Sequence, residues 1–201
     1  MRMKGTHVIA GAVIGLTVVF TGFCTAGAEA GGNDRVLKEV AVLSGYSSSD
    51  LKGHSDDYDV VPFIVRYSYD PNDLLDRFGM GLPGLWRFNM EPFFGQVISP
   101  SNNFEAGCAF LLRFAVPLGE DRVRLFVEGG AGPMYLGRDT VEQSTHFNFI
   151  NYAGAGCSVK VRPDMAIEGS FRLRHVSNAG INHPNSGIDG GTVLLGLNWL
   201  F

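Results

Sequence analysis

Phe104-Glu-Ala-Gly-Cys-Ala-Phe-Leu-Leu-Arg-Phe-Ala-Val116 is the stretch that decides the fold. Successive side chains of a strand point to opposite faces, so the segment sorts into two sets. Phe104, Ala106, Cys108, Phe110, Leu112, Phe114 and Val116 share one face. Glu105, Gly107, Ala109, Leu111, Arg113 and Ala115 share the other. One face is greasy from end to end, and the other carries charges of both signs in mid-strand. A soluble sandwich would bury the first and wet the second. A closed barrel in a membrane turns the first to lipid and keeps the second as a Glu/Arg network in its lumen. Backbone groups in lipid must all be paired, and closure provides that.

The same alternation recurs on both sides. In 122–136, Val123, Leu125, Val127 and Ala131 oppose Arg122, Arg124 and Glu128; in 165–178, Ile167, Phe171 and Leu173 oppose Glu168, Ser170, Arg172 and Arg174. Eight such segments are expected, at 35–47, 58–70, 84–98, 104–116, 122–136, 145–162, 165–178 and 190–201, with turn residues between them. The expected fold is all-β, an eight-stranded antiparallel transmembrane β-barrel of the outer-membrane type. Trp86, Tyr67, Tyr69 and Trp199 suit its interfacial girdles, and Phe201 ends the last strand as a terminal aromatic. Asn72 to Phe78 is the best candidate for a short helix in a connection. Short connections at Pro117–Asp121 and Pro163-Asp164 mark the periplasmic end, which sends the 1–2, 3–4, 5–6 and 7–8 connections outward.

Residues 1–30 read as a cleavable signal peptide. Arg2 and Lys4 precede an apolar run from Val8 to Phe23, and small residues follow up to Ala28 and Ala30. The run is shorter than the roughly 20 apolar residues of a membrane-spanning helix. Residues 31–201 then form one domain. Removing Arg2, Lys4 and Glu29 from 16 basic and 20 acidic side chains leaves 14 against 19, a net of about −5. That balance argues against nucleic acid as a partner. Cys108 and Cys157 fall on strands four and six with strand five between them, which disfavours a disulfide. His146 and His183 lack the carboxylate spacing of a metal site, so no metal is expected. Asp56, Asp57 and Asp59 read as a solvated acidic loop.

One stretch is unlike the rest: Arg174-His175-Val-Ser177-Asn178-Ala179-Gly180-Ile-Asn-His-Pro-Asn185-Ser-Gly187-Ile-Asp189. His175 and Ser177 share the face of Phe171 and Leu173, so both should look out at lipid. Asp189 has the parity of Val193, Leu195 and Trp199, the outward face of the last strand. A hydroxyl, an imidazole and a carboxylate thus meet on the outer wall, where polar groups are costly and tend to be functional. Serine needs a neutral imidazole to take its proton, and a carboxylate fixes the imidazole tautomer and stabilises the imidazolium. Ala179 and Gly180 can present backbone N–H groups to an oxyanion; Asn178 and Asn185 can add amides or brace the loop. The residues alone imply an ester or amide hydrolase acting on something in the outer leaflet. They leave open an outer-membrane acyltransferase or phospholipase, or a structural or adhesive barrel without activity.

The segment resembles the signature of the lipid A 3-O-deacylases of the outer membrane, the PagL family: H-x-S-N-A-G, then Asn-x-Gly, then an acidic residue two positions on. The resemblance implies His175 as base, Ser177 as nucleophile and Asp189 as acid. It places Asn178, Ala179, Gly180 and Asn185 at the oxyanion and loop positions. It also implies hydrolysis of an ester-linked 3-hydroxyacyl chain of lipid A (lipopolysaccharide), no cofactor, and residence among outer-membrane lipids, and it leaves room for a homodimer. Asp189 is a departure, because the best-known members carry Glu there. A shorter acid requires the chain to bring it closer to His175.

Overall fold

A computed structural model describes residues 36–201 apart from 52–56 and 138–144. The segment 1–30, expected to be a signal peptide, and Asp56 lie outside the described residues. The strands are β1 (Leu37–Asp50), β2 (Tyr58–Tyr69), β3 (Leu85–Ser99), β4 (Asn103–Leu118), β5 (Val123–Leu136), β6 (Phe147–Arg162), β7 (Met165–Ser177) and β8 (Ile188–Leu200). Each pairs antiparallel with the next, and β1 pairs with β8, closing an eight-stranded barrel. At 12 to 16 residues they exceed the roughly 9–11 that cross a bilayer obliquely, so every strand projects beyond the hydrocarbon. The helix candidate is present as α1 (Asn72–Leu75), continued by a 3-10 turn over Asp76–Phe78.

The largest shift from the sequence reading is at the end of β1, which runs on to Asp50. Tyr46-Ser-Ser-Ser-Asp50 has no apolar alternation to signal a strand, yet it pairs in register with Asp189–Val193 of β8. There Thr192 Oγ1 lies 2.9 Å from Ser47 Oγ, so buried hydroxyls satisfy each other where apolar packing is missing.

The faces sort as alternation requires. Phe110, Leu112, Val116, Leu125, Val127, Ile167, Phe171, Leu173, Val193 and Leu195 are exposed, and together they form the lipid-facing wall. Inside, three arginines and three glutamates interlock at mid-depth. Arg66 holds Glu168 through two bonds of 2.8 and 2.7 Å. Arg113 bridges Glu168 and Glu128. Arg172 donates to Glu128 and, in bidentate fashion, to Glu91. Arg174 pairs with Glu105, which also accepts from Tyr58. Planar guanidinium forks suit such multiple pairing, which repays the cost of taking each charge out of water. Toward the end that carries the β7–β8 loop, the lumen turns apolar: Val60, Val97, Met134, Leu136, Ile150, Val176 and Ile188 are all buried. Paired charges fill the lumen at mid-depth, and apolar side chains fill it at that end.

Cys108 and Cys157 are free thiols on β4 and β6. His146 bonds the Leu136 carbonyl through Nδ1 at 2.8 Å and stacks on Tyr135, which accounts for it structurally.

Candidate active site

The β7–β8 ladder places His175 directly opposite Asp189. Both face outward, with side chains 45% and 61% exposed, and His175 Nδ1 lies 2.5 Å from Asp189 Oδ1. The shorter acid reaches the ring because it stands in the strand next to the histidine, where cross-strand side chains are nearest neighbours. A carboxylate on Nδ1 fixes the tautomer in which Nε2 carries the lone pair, so Nε2 is the basic nitrogen of the ring.

Ser177, the last residue of β7, lies two positions on along the same face, opposite Phe149 of β6. Among the described residues its hydroxyl has no side-chain partner.

The loop after Ser177 is braced from within. Asn178 is fully buried; its Nδ2 donates to the Asn182 carbonyl at 2.9 Å, and its Oδ1 accepts the Gly180 N–H at 2.9 Å. Its own N–H donates to Asn185 Oδ1 at 3.0 Å. Ala179 and Gly180 both take positive φ, 55° and 79°, which turns the chain sharply just past the serine. Of the two amides that the sequence offers to an oxyanion, that of Gly180 is engaged by Asn178. The Ala179 N–H has no partner among the described residues, nor has Asn185 Nδ2, whose Oδ1 is held. Asn178 and Gly180 therefore serve as loop support, and Ala179 and Asn185 keep donors available.

Two features were not assigned a role from sequence. Gly187 has φ 74°, and a Cβ there would come within 2.8 Å of His175 Cε1. The loop thus passes directly over the imidazole, and only glycine combines that backbone with that approach. The motif contains this glycine, but its contact depends on how the loop returns. Asn151 of β6 pairs with His175 from the other side, and Asp50 of β1 pairs with Asp189. A row of polar residues, Asn151, His175, Asp189 and Asp50, therefore crosses four adjacent strands at one level of the outer wall. A polar residue among Phe147, Phe149, Ala153 and Ala155 is visible in the sequence as a break in an apolar face; its neighbour is not.

Comparison with known proteins completes the picture. Residues 62–198 match the family model described as lipid A 3-O-deacylase (PagL). None of the curated proteins searched matches the chain. Among solved structures, the outer-membrane enzyme PagL is similar with TM-score 0.57 and 18% identity, over 79% of this chain and 97% of that one. Neisserial surface protein A is similar with TM-score 0.59 and 12% identity, over 81% and 96%. At such identities the structures share a fold and nothing finer, since one barrel is described as an enzyme and the other as a surface protein. The family model spans more than half of the chain, β2 through β8, with the whole of the His175–Asp189 segment inside it. This chain is an outer-membrane β-barrel protein and belongs to the lipid A 3-O-deacylase (PagL) family.

Proposed function

We propose that the protein hydrolyses the ester that holds a 3-hydroxyacyl chain at position 3 of lipid A, with Ser177, His175 and Asp189 as the catalytic groups. The observation that carries the reading is the hydrogen-bonded His175–Asp189 pair on a lipid-facing wall, two residues from a hydroxyl on the same face. A water-soluble substrate would not need that placement. A lipid of the outer leaflet reaches it by lateral diffusion, with its chains along the wall and its ester at the level of the polar row.

Ser177 Oγ attacks the acyl carbonyl carbon. As the new C–O bond forms, the hydroxyl proton passes to His175 Nε2 and the carbonyl π pair moves onto oxygen. Asp189 stabilises the imidazolium without taking its proton. The Ala179 N–H and Asn185 Nδ2 are the donors available to the oxyanion. Collapse breaks the bond to the sugar oxygen, which takes the proton from the imidazolium and leaves as a hydroxyl. Water then attacks the acyl-serine, giving its proton to His175. The 3-hydroxy fatty acid departs and Ser177 is restored, so water is the only co-reactant.

The test expresses wild type and Ser177→Ala in a bacterium with hexa-acylated lipid A and weighs the lipid A. Wild type should yield a species lighter by one hydroxyacyl chain, and the variant none at equal membrane abundance. Loss of a non-hydroxylated chain would overturn the position; equal loss with both proteins would overturn Ser177.

A further inference from the structure

Asn151 stands beside His175 on the lipid-facing wall, yet the chemistry above does not use it. The β6–β7 ladder makes the two residues direct neighbours, and the β5–β6 ladder puts Ala131 on its other side. Along β6 the next outward residues are Phe149 and Ala153. The Asn151 side chain is exposed and its carboxamide has no partner among the described residues. Asp189 holds the Nδ1 edge of the imidazole from the β8 side, so the β6 side, where Asn151 stands, flanks the opposite edge.

An unpaired amide facing hydrocarbon is expensive, and nothing in the packing of this wall calls for one. Below the row the outward residues of β6, β7 and β8 are Ala153, Ala155, Leu173, Phe171, Gly191 and Val193, which suit acyl chains. The row itself is thus the level at which an amphipathic substrate changes from chain to head. Carboxamides donate and accept at once, and so match neutral groups that do the same, hydroxyls and secondary amides. None of the other described residues in the row is Lys or Arg, the usual partners of phosphate.

We propose that Asn151 is a substrate-binding residue, which hydrogen-bonds a neutral hydroxyl or amide of the sugar head next to the scissile ester and so sets the carbonyl over Ser177. This rests on the deacylase reading of the site. It assigns to Asn151 the recognition of the head that a simple ester lacks, separate from the reaction at the carbonyl.

The experiment measures kcat and KM for wild type, Asn151→Ala and Asn151→Gln, purified and folded in detergent, on two substrates. One is hexa-acylated lipid A, and the other is a p-nitrophenyl ester of a medium-chain fatty acid, which has the ester but no sugar. Unboiled gel mobility and labelling of Ser177 by a fluorophosphonate check that fold and nucleophile are intact. Asn151→Ala should lose about ten-fold or more in kcat/KM on lipid A, chiefly through KM, and less than two-fold on the p-nitrophenyl ester. Asn151→Gln should recover part of the loss on lipid A. Unchanged lipid A kinetics in Asn151→Ala, with an active wild type, would overturn the inference alone. Equal losses on both substrates would also overturn it, by placing Asn151 at the reacting centre or in the support of His175. A wild type active on the simple ester but inert on lipid A would instead overturn the deacylase reading on which the inference rests.

Discussion

The lumen and the outer wall both carry acids paired with bases, and they could hardly be less alike. Inside, Arg66, Arg113 and Arg172 share Glu91, Glu128 and Glu168 so fully that each carboxylate serves two guanidinium groups, and Arg66 and Arg172 are wholly buried. Outside, His175 has one side-chain partner among the described residues, Asp189, and a half-exposed ring beside a hydroxyl and an amide that have none there. Paired charge holds a shape. Polar groups left with spare valence in an apolar wall are open to a ligand, and the proposed chemistry uses them.

The contrast is broken most severely from the inside. Replacing Glu168 by Gln leaves Arg66 and Arg113 short of a buried counter-charge and should cost about 3–5 kcal/mol of barrel stability. Urea unfolding, followed by loss of the unboiled gel mobility, reads this directly. Turnover per folded molecule should change little. A large loss of turnover in a barrel of normal stability would show that the two regions are coupled.

On the wall the pattern should reverse. Asp189→Asn no longer stabilises the imidazolium and should lower kcat by about 100-fold or more, with urea unfolding close to wild type. Asp189→Glu should keep activity within about ten-fold, because the longer acid can still meet Nδ1 from the adjacent strand. If both variants turn over like wild type, the acid is elsewhere.

Gly187→Ala sharpens the boundary between loop and chemistry. Its positive φ strains any L side chain by about 1–2 kcal/mol, and the added methyl meets His175 Cε1. The barrel should persist while kcat falls roughly ten-fold, which kinetics on purified protein would register.

The smallest effect belongs to the turn between β4 and β5. The Arg124 hydrogen bond, joined by Lys160, holds the Asp121 carboxyl well below the ordinary carboxylate range. A depressed folded-state value contributes stability above the ordinary range, and that contribution is lost only as pH falls through the lower folded value. The Asp121 side chain is 36% exposed, so solvent and salt screen the cluster. Asp121→Asn should lower urea stability slightly at neutral pH, less at high salt, and less again at pH 2. Equal destabilisation at both pH values would assign the effect to packing.

The difference between the regions also explains what the sequence reveals. Period-two alternation is a property of each strand alone, so Phe104–Val116 announces its two faces without its neighbours. The charges in mid-strand announce a filled lumen for the same reason. Which glutamate meets which arginine depends on register across the barrel, and no segment carries that information by itself. The site divides likewise. His175, Ser177 and Asp189 lie within one strand, one loop and the next strand, and parity alone brings them to one face. Asn151 is 24 positions before His175 and meets it only through the β6–β7 register. Gly187 is visible as a glycine in a motif, but its approach to the ring is set by the fold of a loop braced by Asn178 and Asn185. The serine run that carries β1 to Asp50 lacks apolar alternation altogether and is a strand because β8 is there to pair with it.

The central claim is that the unsaturated wall, and Ser177 within it, is where bonds are made. The most direct measurement exposes the folded protein in detergent to a fluorophosphonate with a lipid-like chain and maps the adduct by peptide mass. The account predicts one adduct, on Ser177, absent from Ser177→Ala, greatly slowed in Asp189→Asn and blocked by excess lipid A. An adduct on another residue, or deacylation of lipid A that continues undiminished in Ser177→Ala, would contradict it.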